Sequence, residues 1–235
     1  MKIIKKNIKK ILNMFGFRIM RINLGSKELK WLWDLNIKTV IDVGGSKGNA
    51  ALDFHRLFPS ADIYSFEPLQ DCFQIMNEKL KNVSGFKSFN VALGDSIGQG
   101  VIHRSSYSGC SSLRRMGELH KKAFPVTAGE RDEVIKTDTM DNVMKGFNLE
   151  DNILVKIDVQ GLEDKVILGG QKTLDRAKMI IVETSFVELY EGQPLFGEVY
   201  KLLSERGFKY SGAWDPDFKN PIDGRSLQQD SVFLK

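Results

Sequence analysis

Two short and almost uninterrupted apolar runs constrain the fold of this chain more than any other feature of its sequence. They are I153-L-V-K-I-D-V159 and M179-I-I-V-E183, and β-branched residues dominate both. Runs of this kind are typical of strands that are buried on both faces, as in parallel sheets covered by helices. Because apolar side chains make up 42% of the 235 residues, the chain can bury such a core. The two runs therefore predict a central parallel sheet.

Strand and helix patterns alternate from residue 39 onward, which predicts an α/β fold with a Rossmann-like, doubly wound and mostly parallel sheet. The remaining strands are predicted at 40–43, 63–66, 86–93, 208–212 and 231–234, and the helices at 48–58, 69–80, 162–174 and 196–206. Residues 39–235 are expected to form this domain, and residues 1–38 a helical extension. The Gly/Ser-rich segment between Gly94 and Asp132, called the excursion below, is expected to be an irregular binding loop over the carboxyl edge of the sheet.

The cysteines and the apolar runs indicate a cytoplasmic protein. Cys72 and Cys110 show no zinc-like spacing, and no secretory signal is recognised, so reduced thiols are expected. No uncharged apolar run reaches the length of about 18 residues that spans a bilayer. No segment is therefore predicted to cross a membrane.

The first thirty residues are strongly basic. They contain nine lysines and arginines against Glu28 alone, a net charge of +8, whereas the whole chain carries +4. Between residues 1 and 21, apolar side chains recur at helical spacing among the lysines, which predicts a basic amphipathic helix. Such a helix packs on its own domain, lies on an anionic membrane surface, or binds a nucleic acid or a partner protein. If the helix lies on a membrane surface, the protein is expected to be peripheral to the inner membrane.

A glycine-rich turn, D42-V-G-G-S-K-G48, follows the first predicted strand and marks the ligand-binding edge of such a sheet. Its glycines, Gly44, Gly45 and Gly48, do not have the G-x-G-x-x-G spacing of dinucleotide-binding loops. Asp42 would also repel a pyrophosphate, whereas it would attract the ammonium group of a methionine moiety. The turn therefore favours a positively charged ligand, and we expect Asp42 and the three glycines to contact it.

Two further carboxylates are placed to contact the nucleoside part of such a ligand. Glu67, followed by Pro68, ends the second predicted strand about twenty residues past the glycine turn, where a carboxylate can bind ribose hydroxyls. Asp95 follows the third predicted strand, near the expected position of an adenine amino group. Together with the glycine turn, these residues predict an S-adenosyl-L-methionine site. The structural alternative is a helix-capping Asp42 and a surface Glu67.

Six motifs carry a wider pattern. They are V40-I-D-V-G-G-S-K-G48, S65-F-E-P68, V91-A-L-G-D95, K136-T-D-T-M-D141, V166-I-L-G-G170 and, most specifically, K156-I-D-V-Q-G-L-E163. From about residue 39 to residue 185 the chain thereby resembles the FkbM-type methyltransferase family. The resemblance implies a class I methyltransferase fold, S-adenosyl-L-methionine as methyl donor, and a hydroxyl of a saccharide, glycoconjugate or small natural product as acceptor. The chain departs from the family pattern at Gly45, where asparagine is frequent, and at Gln160, where glutamate is common.

Methyl transfer to a hydroxyl needs a group that accepts the hydroxyl proton as the new bond forms. Asp158 follows the apolar core of the fourth strand at the predicted ligand edge, and Lys156 shares its strand face. We expect Asp158 to act as the base or to orient the acceptor substrate. Lys156 and Glu163 are expected to adjust its charge, and Glu163 also to line the acceptor site. The alternative is a buried ion-pair network that joins the strand to the next helix.

Three other side chains are candidates for the acceptor site. His103, in the excursion, is a second candidate base because an unperturbed imidazole titrates near neutral pH. Tyr107 in the same segment and Glu183 at the end of the fifth strand are candidate contacts of the acceptor substrate. Glu183 and Asp158 together could bind a divalent cation. Because no third ligand is evident, no metal site is predicted.

The tetrapeptide D215-P-D-F218 has a superficial likeness to the D-P-P-Y motif of nucleic-acid amino methyltransferases. It does not follow the fourth strand, so it is interpreted as a turn. No stripe of basic and aromatic residues indicates RNA binding. The leading hypothesis is an S-adenosyl-L-methionine-dependent O-methyltransferase with a small-molecule or glycan acceptor. A non-catalytic, membrane-associated scaffold and a nucleic-acid methyltransferase are the alternatives.

Overall fold

The computed structural model describes residues 30–235, with the backbone alone at 215–218. The chain divides into two compact units, residues 1–34 and 35–235. Of the first unit the structure describes helix α1, Lys30–Asp34. The basic helix predicted between residues 1 and 21 lies outside the described residues, and its interpretations stay predictions. No helix within residues 30–235 has both the length and the apolar character that crossing a membrane requires.

Ten strands occur in the described part of the chain. They are β1 Thr39–Val43, β2 Asp62–Phe66, β3 Phe86–Phe89, β4 Ala92–Gly94, β5 Gly98–Ser105, β6 Glu130–Thr139, β7 Ile153–Ile157, β8 Ala177–Ser185, β9 Lys209–Lys219 and β10 Ser226–Leu234. Seven of them form a central sheet in the order β3-β2-β1-β7-β8-β10-β9. The five strands from β3 to β8 in that order run parallel, whereas β10 is antiparallel to both of its neighbours. The predicted mostly parallel, doubly wound sheet is confirmed.

Helices connect the parallel strands and cover the sheet. Those of the second unit are α2 Asn49–Leu57, α3 Gln70–Leu80, α4 Glu118–Ala123, α5 Met140–Met144, α6 Glu163–Gly169, α7 Gln171–Asp175 and α8 Phe196–Ser204. The apolar runs that predicted the sheet lie at its centre, where Val155, Ile157 and Ile180 are fully buried. Helix α6 packs Val166 and Ile167 into the same core cluster. Burial on both faces explains why these strands have no polar side in the sequence.

The strand order reverses direction between β1 and β7, because the chain continues from β1 toward β3 on one side and from β7 toward β9 on the other. Ligands of open α/β sheets bind at the carboxyl ends of the strands at such a point. The glycine turn follows β1, Glu67 follows β2, and Asp158 follows β7. The topology therefore brings three of the predicted site segments to one edge.

The single strand predicted at 86–93 is wrong, because the chain leaves the central sheet after Phe89. Residues Phe86–Phe89 pair with β2, whereas Ala92–Gly94 pair with β6 in a separate sheet. The side-chain amide nitrogen of Asn90 donates to the backbone oxygens of Glu67 and Pro68, at 2.9 Å each, and holds this change of direction. Asp95 therefore follows a strand of the other sheet.

The excursion is more regular than predicted. It contains β5, and β6 begins at its end and continues to Thr139. These two strands pair antiparallel and together with β4 make a three-stranded second sheet in the order β4-β6-β5. Ile102 and Ile135 bury one face of this sheet against Leu69 and Cys72. Glycines at both 98 and 100 masked the strand pattern of β5 in the sequence. Only the connection from 106 to 129 contains the turns and short helices expected of a loop.

Two local predictions also need correction. The helix predicted at 162–174 is broken into α6 and α7 at Gly170. At the preceding Gly169, an added Cβ would lie 1.9 Å from the backbone oxygen of Gly94, so β4 contacts α6 through bare backbone. The turn predicted at 215–218 is wrong, because these residues continue the backbone of β9 and the reversal follows at 220–225.

Candidate active site

The glycine turn packs against the ends of β2 and β7. The backbone nitrogens of Gly44 and Gly45 both donate to the oxygen of Phe66, at 3.0 and 2.9 Å. Gly44 has φ +85°, and a Cβ there would lie 1.9 Å from the backbone oxygen of Asp158. Only glycine combines that conformation with so close an approach. The turn therefore brings the segments that follow β1, β2 and β7 into direct contact.

The departure from the family pattern at position 45 has a local explanation. A Cβ at Gly45 would lie 3.0 Å from Sδ of Met76 and 3.1 Å from Oδ2 of Asp42. Both distances are tighter than ordinary van der Waals contacts. Met76 is fully buried on α3, so it has little freedom to move away. The bulk of Met76 thus favours glycine at this position in this chain.

Asp42 is fully buried and only half satisfied. Its Oδ2 accepts a hydrogen bond from Oγ of Ser65 at 3.0 Å, whereas Oδ1 has no partner among the described residues. Burial raises the pKa of Asp42, and the Lys156 ammonium opposes that rise. A buried carboxylate oxygen without a donor is costly, which makes it a candidate contact for a ligand cation or N–H group.

Glu67 is buried at the end of β2, with each of its oxygens bound to the backbone. Oε2 accepts from the nitrogen of Ser46 at 2.9 Å, and Oε1 accepts from the nitrogen of Leu69 at 2.7 Å. Burial raises the pKa of Glu67 to about 7, although these two donors oppose the rise. The surface position that the sequence left open for Glu67 is therefore wrong. Pro68 follows it directly and is held in place by Asn90.

Lys156 and Asp158 form an ion pair on one face of β7. Nζ of Lys156 lies 3.0 Å from Oδ2 of Asp158, and the two side chains are 13% and 30% exposed. Lys156 is also the register partner of Asp42 on β1. Burial by itself would lower the pKa of Lys156, but Asp158, Asp42 and Asp230 outweigh it, so the pKa is raised. The ammonium group is therefore charged at neutral pH, close to the carboxyl groups of Asp158, Asp42 and Asp230.

Glu163 begins α6, and its side chain hydrogen-bonds to the backbone of the loop that follows Asp158. Its Oε1 accepts from the backbone nitrogens of Val159 and Gly161, at 3.3 and 3.1 Å. The side chain is 4% exposed, and burial raises its pKa to about 7. These contacts assign Glu163 to the support of the loop; its predicted contact with the acceptor substrate stays a prediction.

Glu163→Gln is expected to stabilise the protein at pH 8 by about 1–3 kcal/mol. The raised pKa means that the folded protein binds this proton more tightly than the unfolded chain does. The wild type therefore loses stability as pH rises from the ordinary value of 4.5 to about 7. A glutamine keeps an oxygen for the two backbone donors and carries no charge. Urea unfolding at pH 8 and pH 4 measures the difference, which should vanish at pH 4.

Glu118→Gln is the matched control, because Glu118 is 93% exposed. Its free energy of unfolding should change by less than about 0.5 kcal/mol at either pH. Destabilisation of the Glu163 variant at pH 8 would contradict the assigned cost of the buried charge.

Glu183 lies two residues before the end of β8, and Gln160 joins its carboxyl group to that of Asp158. Nε2 of Gln160 donates to Oδ1 of Asp158 at 2.8 Å and to Oε2 of Glu183 at 2.7 Å. Nε2 of Gln228, on β10, also donates to Oε2 of Glu183 at 3.0 Å. Burial first, and then the charges of Asp158 and Asp230, raise the pKa of Glu183 well above its ordinary value.

The excursion reaches this cluster through its middle. Oγ of Ser112 donates to the backbone oxygen of Gln160 at 2.6 Å. The hydroxyl of Tyr190 lies 2.8 Å from Oε1 of Gln160 and 3.0 Å from the backbone oxygen of Cys110. Burial raises the pKa of Cys110 to about 12, so its thiol is protonated at neutral pH. The excursion therefore forms one wall beside Asp158.

Sequence reasoning missed Tyr190 and Gln228 as members of the site. Gln160 stands inside a quoted motif and could have been found from its place two residues after Asp158. Tyr190 and Gln228 stand in no recognisable pattern. Tyr190 is brought to the site by the loop after β8, and Gln228 by the register of β10, which places it opposite Ser185.

The remaining predicted residues, Asp95, His103 and Tyr107, lie in the part of the excursion that precedes Cys110. His103 is on β5, where its Nδ1 is 2.6 Å from Oδ1 of Asp132. Its backbone pairs with that of Ser112 in an isolated antiparallel β-bridge. Tyr107 is 51% exposed. Oδ2 of Asp95 lies 2.8 Å from Nζ of Lys165, and the hydrogen bond from Lys165 lowers the pKa of Asp95. The structure gives none of the three a hydrogen bond to Asp158, and their roles stay predictions.

Comparison with known proteins identifies the family. Residues 42–210 match the profile described as the methyltransferase FkbM domain. The chain is 30% identical over 170 residues to the 2-O-methyltransferase NoeI of Sinorhizobium fredii (strain NBRC 101917 / NGR234), with 70% of each chain covered. It is 26% identical over 212 residues to the methyltransferase sdnD of Sordaria araneosa, with 79% of this chain and 80% of that one covered.

Solved structures with a similar fold include a TehB-like SAM-dependent methyltransferase from Corynebacterium glutamicum. The identity to it is 12% and the TM-score 0.45, with 98% of this chain and 96% of that one covered. The resemblance seen in the sequence motifs is confirmed, because the matched profile spans more than half of the chain. This protein belongs to the FkbM methyltransferase family.

Proposed function

We propose that this methyltransferase transfers a methyl group from S-adenosyl-L-methionine to a hydroxyl of a saccharide, glycoconjugate or small natural product. The observation that carries the proposal is Asp158. Its backbone packs against Gly44 of the glycine turn, and its carboxylate is held by Gln160, to which Ser112 of the excursion donates. The name of the relative NoeI, a 2-O-methyltransferase, supports a hydroxyl acceptor. Membership of the family supports the methyl donor.

The residues at the carboxyl edge fit S-adenosyl-L-methionine. The unpartnered Oδ1 of Asp42 suits a positively charged or N–H-bearing group. Glu67 uses one lone pair of each oxygen for the backbone and keeps capacity for ribose hydroxyls. Gly44 is partly exposed, whereas Gly45 and Gly48 are buried, so the turn offers backbone to a ligand chiefly at Gly44. We assign Asp42, the three glycines and Glu67 to the cofactor, with Pro68 and Asp95 as further candidates.

Asp158 is proposed to accept the proton of the acceptor hydroxyl. When bound, S-adenosyl-L-methionine supplies a methyl group on a positively charged sulfur. The chain has to hold the hydroxyl oxygen in line, and such positioning can supply roughly 7–11 kcal/mol of the barrier. Lys156 and Gln160 hold the two oxygens of Asp158 at 3.0 and 2.8 Å, so the carboxylate has a defined direction. Glu183 and the excursion, with Tyr107 and His103, are proposed to line the acceptor site.

Calorimetric titration with S-adenosyl-L-methionine and with NAD tests the cofactor assignment. We expect the first to bind and the second not to bind. Glu67→Ala should weaken the binding of S-adenosyl-L-methionine by about 10- to 100-fold, because one or two hydrogen bonds to a carboxylate are lost. Glu78→Ala, whose side chain is 74% exposed on α3, is the control and should bind as the wild type does.

Release of S-adenosylhomocysteine in the presence of a panel of saccharides then tests the acceptor class. Binding of NAD alone would contradict the proposal. A folded protein that binds neither ligand would favour the alternative of a non-catalytic scaffold held at a membrane by residues 1–21. Turnover with RNA or DNA and not with saccharides would favour the nucleic-acid alternative.

A further inference from the structure

Gln160 has an unusual backbone conformation at the centre of the site. Its φ is +56°, in the left-handed region that residues other than glycine seldom adopt. Such a conformation persists only where the surroundings determine it, and it concentrates at functional sites. Gly161 follows with φ +99°, so the chain turns sharply here between β7 and α6. The contacts of Gln160 show what determines this turn.

One amide nitrogen joins two strands. An amide nitrogen carries two hydrogens, and Nε2 of Gln160 donates to Asp158 at 2.8 Å and to Glu183 at 2.7 Å. Asp158 follows β7 and Glu183 ends the apolar core of β8. Two carboxylates that would otherwise repel each other are thus held by a shared donor.

The orientation of this amide is selected by its neighbours. Oε1 of Gln160 is 2.8 Å from the hydroxyl of Tyr190, which can donate to it. A flipped amide would point Oε1 at two carboxylate oxygens, which is unfavourable. The same hydroxyl is 3.0 Å from the backbone oxygen of Cys110, and Ser112 donates to the backbone of Gln160. A phenol has one hydrogen, and the shorter distance assigns it to Gln160. The excursion therefore contacts Gln160 through the hydrogen bond that Ser112 donates to its backbone oxygen.

We propose that Gln160 is a positioning residue of methyl transfer, whose amide is oriented by Tyr190 and holds Asp158 beside Glu183 in the direction required by the acceptor hydroxyl. The inference rests on the proposed function of Asp158. It adds that placement of the excursion over the acceptor site is transmitted to Asp158 through Tyr190, Ser112 and Gln160.

The surroundings of Gln160 are strongly acidic. The titratable groups that face the Asp158–Glu183 pair are Asp42 on β1, Lys156 on β7, Glu163 on α6, Asp230 on β10, Cys110 in the excursion and Tyr190 after β8. Lys156 is the cation in this set. The glutamate that is common at this position in the family would, in this chain, remove the donor shared by Asp158 and Glu183 and add a negative charge beside them.

Gln160→Glu tests the inference, because it keeps the shape of the side chain. We expect kcat at pH 7 to fall by about 10- to 100-fold, with the KM for S-adenosyl-L-methionine changed by less than about twofold. The acid limb of the pH–rate profile should move up by about one pH unit, since like charges favour the protonated form. Gln229→Glu is the control, because it adds the same charge on β10. Gln229 hydrogen-bonds to Tyr210 and Ser231 and not to Asp158 or Glu183. It should keep the wild-type kcat and pH profile.

Tyr190→Phe provides a second, milder test, because it removes the hydroxyl that orients the amide and keeps the ring. We expect a fall in kcat of about 3- to 10-fold without a change in the KM for S-adenosyl-L-methionine. If Gln160→Glu does not fold, this variant decides the question. A wild-type kcat in Tyr190→Phe, or a wild-type pH profile in a folded Gln160→Glu, would overturn the inference.

Thermal unfolding separates this inference from the proposed function. The melting temperature of Gln160→Glu should lie below that of the wild type at pH 8, and the difference should shrink at pH 4, below the ordinary pKa of a glutamate. This measurement needs no acceptor substrate. Failure of the wild type to bind S-adenosyl-L-methionine would reject the proposed function, whereas equal melting temperatures at pH 8 would reject the role of the Gln160 amide.

Discussion

Asp158→Asn is expected to lower kcat by about a thousandfold, within the range of 10²- to 10⁴-fold that a positioned base contributes. The asparagine has the same shape but cannot accept the hydroxyl proton at neutral pH. Its amide would also face one of two donors, Nζ of Lys156 at 3.0 Å or Nε2 of Gln160 at 2.8 Å, in place of an oxygen. Binding of S-adenosyl-L-methionine should change little, because the cofactor assignment rests on other side chains.

Steady-state kinetics with an acceptor saccharide and calorimetric titration of the methyl donor measure the two quantities separately. Asp53→Asn, an exposed carboxylate on α2 that pairs with Arg56, is the control. If Asp158→Asn keeps more than a tenth of the activity, the base lies elsewhere, and His103→Ala should then carry the loss. A loss of stability that leaves kcat intact would favour the alternative interpretation, a structural ion-pair network between β7 and α6.

Gly44→Ala is expected to destabilise the protein by about 2–4 kcal/mol and to weaken the binding of S-adenosyl-L-methionine by more than about 100-fold. Two causes act together at this position. The backbone at φ +85° disfavours any side chain, and the new Cβ would lie 1.9 Å from the oxygen of Asp158. The conflict is with backbone and not with a flexible side chain, so the turn or the end of β7 has to move.

Gly197→Ala is the matched control, because Gly197 lies in α8 and an added Cβ meets nothing within 4 Å. It should leave binding unchanged and stabilise the protein by about 0.5 kcal/mol, since alanine is the better helix former. Urea unfolding and calorimetric titration of both variants give the comparison. Wild-type stability in Gly44→Ala would contradict the close approach of the turn to Asp158, and wild-type affinity would contradict the assignment of the turn to the cofactor.

The central sheet could be predicted because its signals are local. Each buried strand is a short apolar run, as in I153-L-V-K-I157, and each lies between helical patterns of ordinary length. The second sheet could not be predicted in the same way. Gly98 and Gly100 weaken the strand pattern of β5, and the end of β3 depends on Asn90, whose hydrogen bonds reach Glu67 and Pro68. Contacts of that kind are invisible to a pattern of neighbouring residues.

The candidate site also contains residues that could be predicted from local patterns and residues that could not. Asp42, Glu67 and Asp158 follow predicted strands, so the topology alone places them at one edge. The network around Glu183 needs information that a single sequence does not hold. Its members are separated by 23 to 45 residues along the chain, as the pairs Gln160–Glu183 and Glu183–Gln228 show. Their meeting depends on the register of β8 with β10 and on the path of the excursion.

The bare-backbone contact between Gly169 and Gly94 has a consequence for how the second sheet can move. No side-chain layer separates α6 from β4 at this point, so little can yield there if the second sheet tilts. The hydrogen-bonded strands are therefore anchored to the rigid body of the domain. Movement of the second sheet relative to α6 would therefore have to start away from this contact, and collective shifts of packed elements run on the microsecond to millisecond scale.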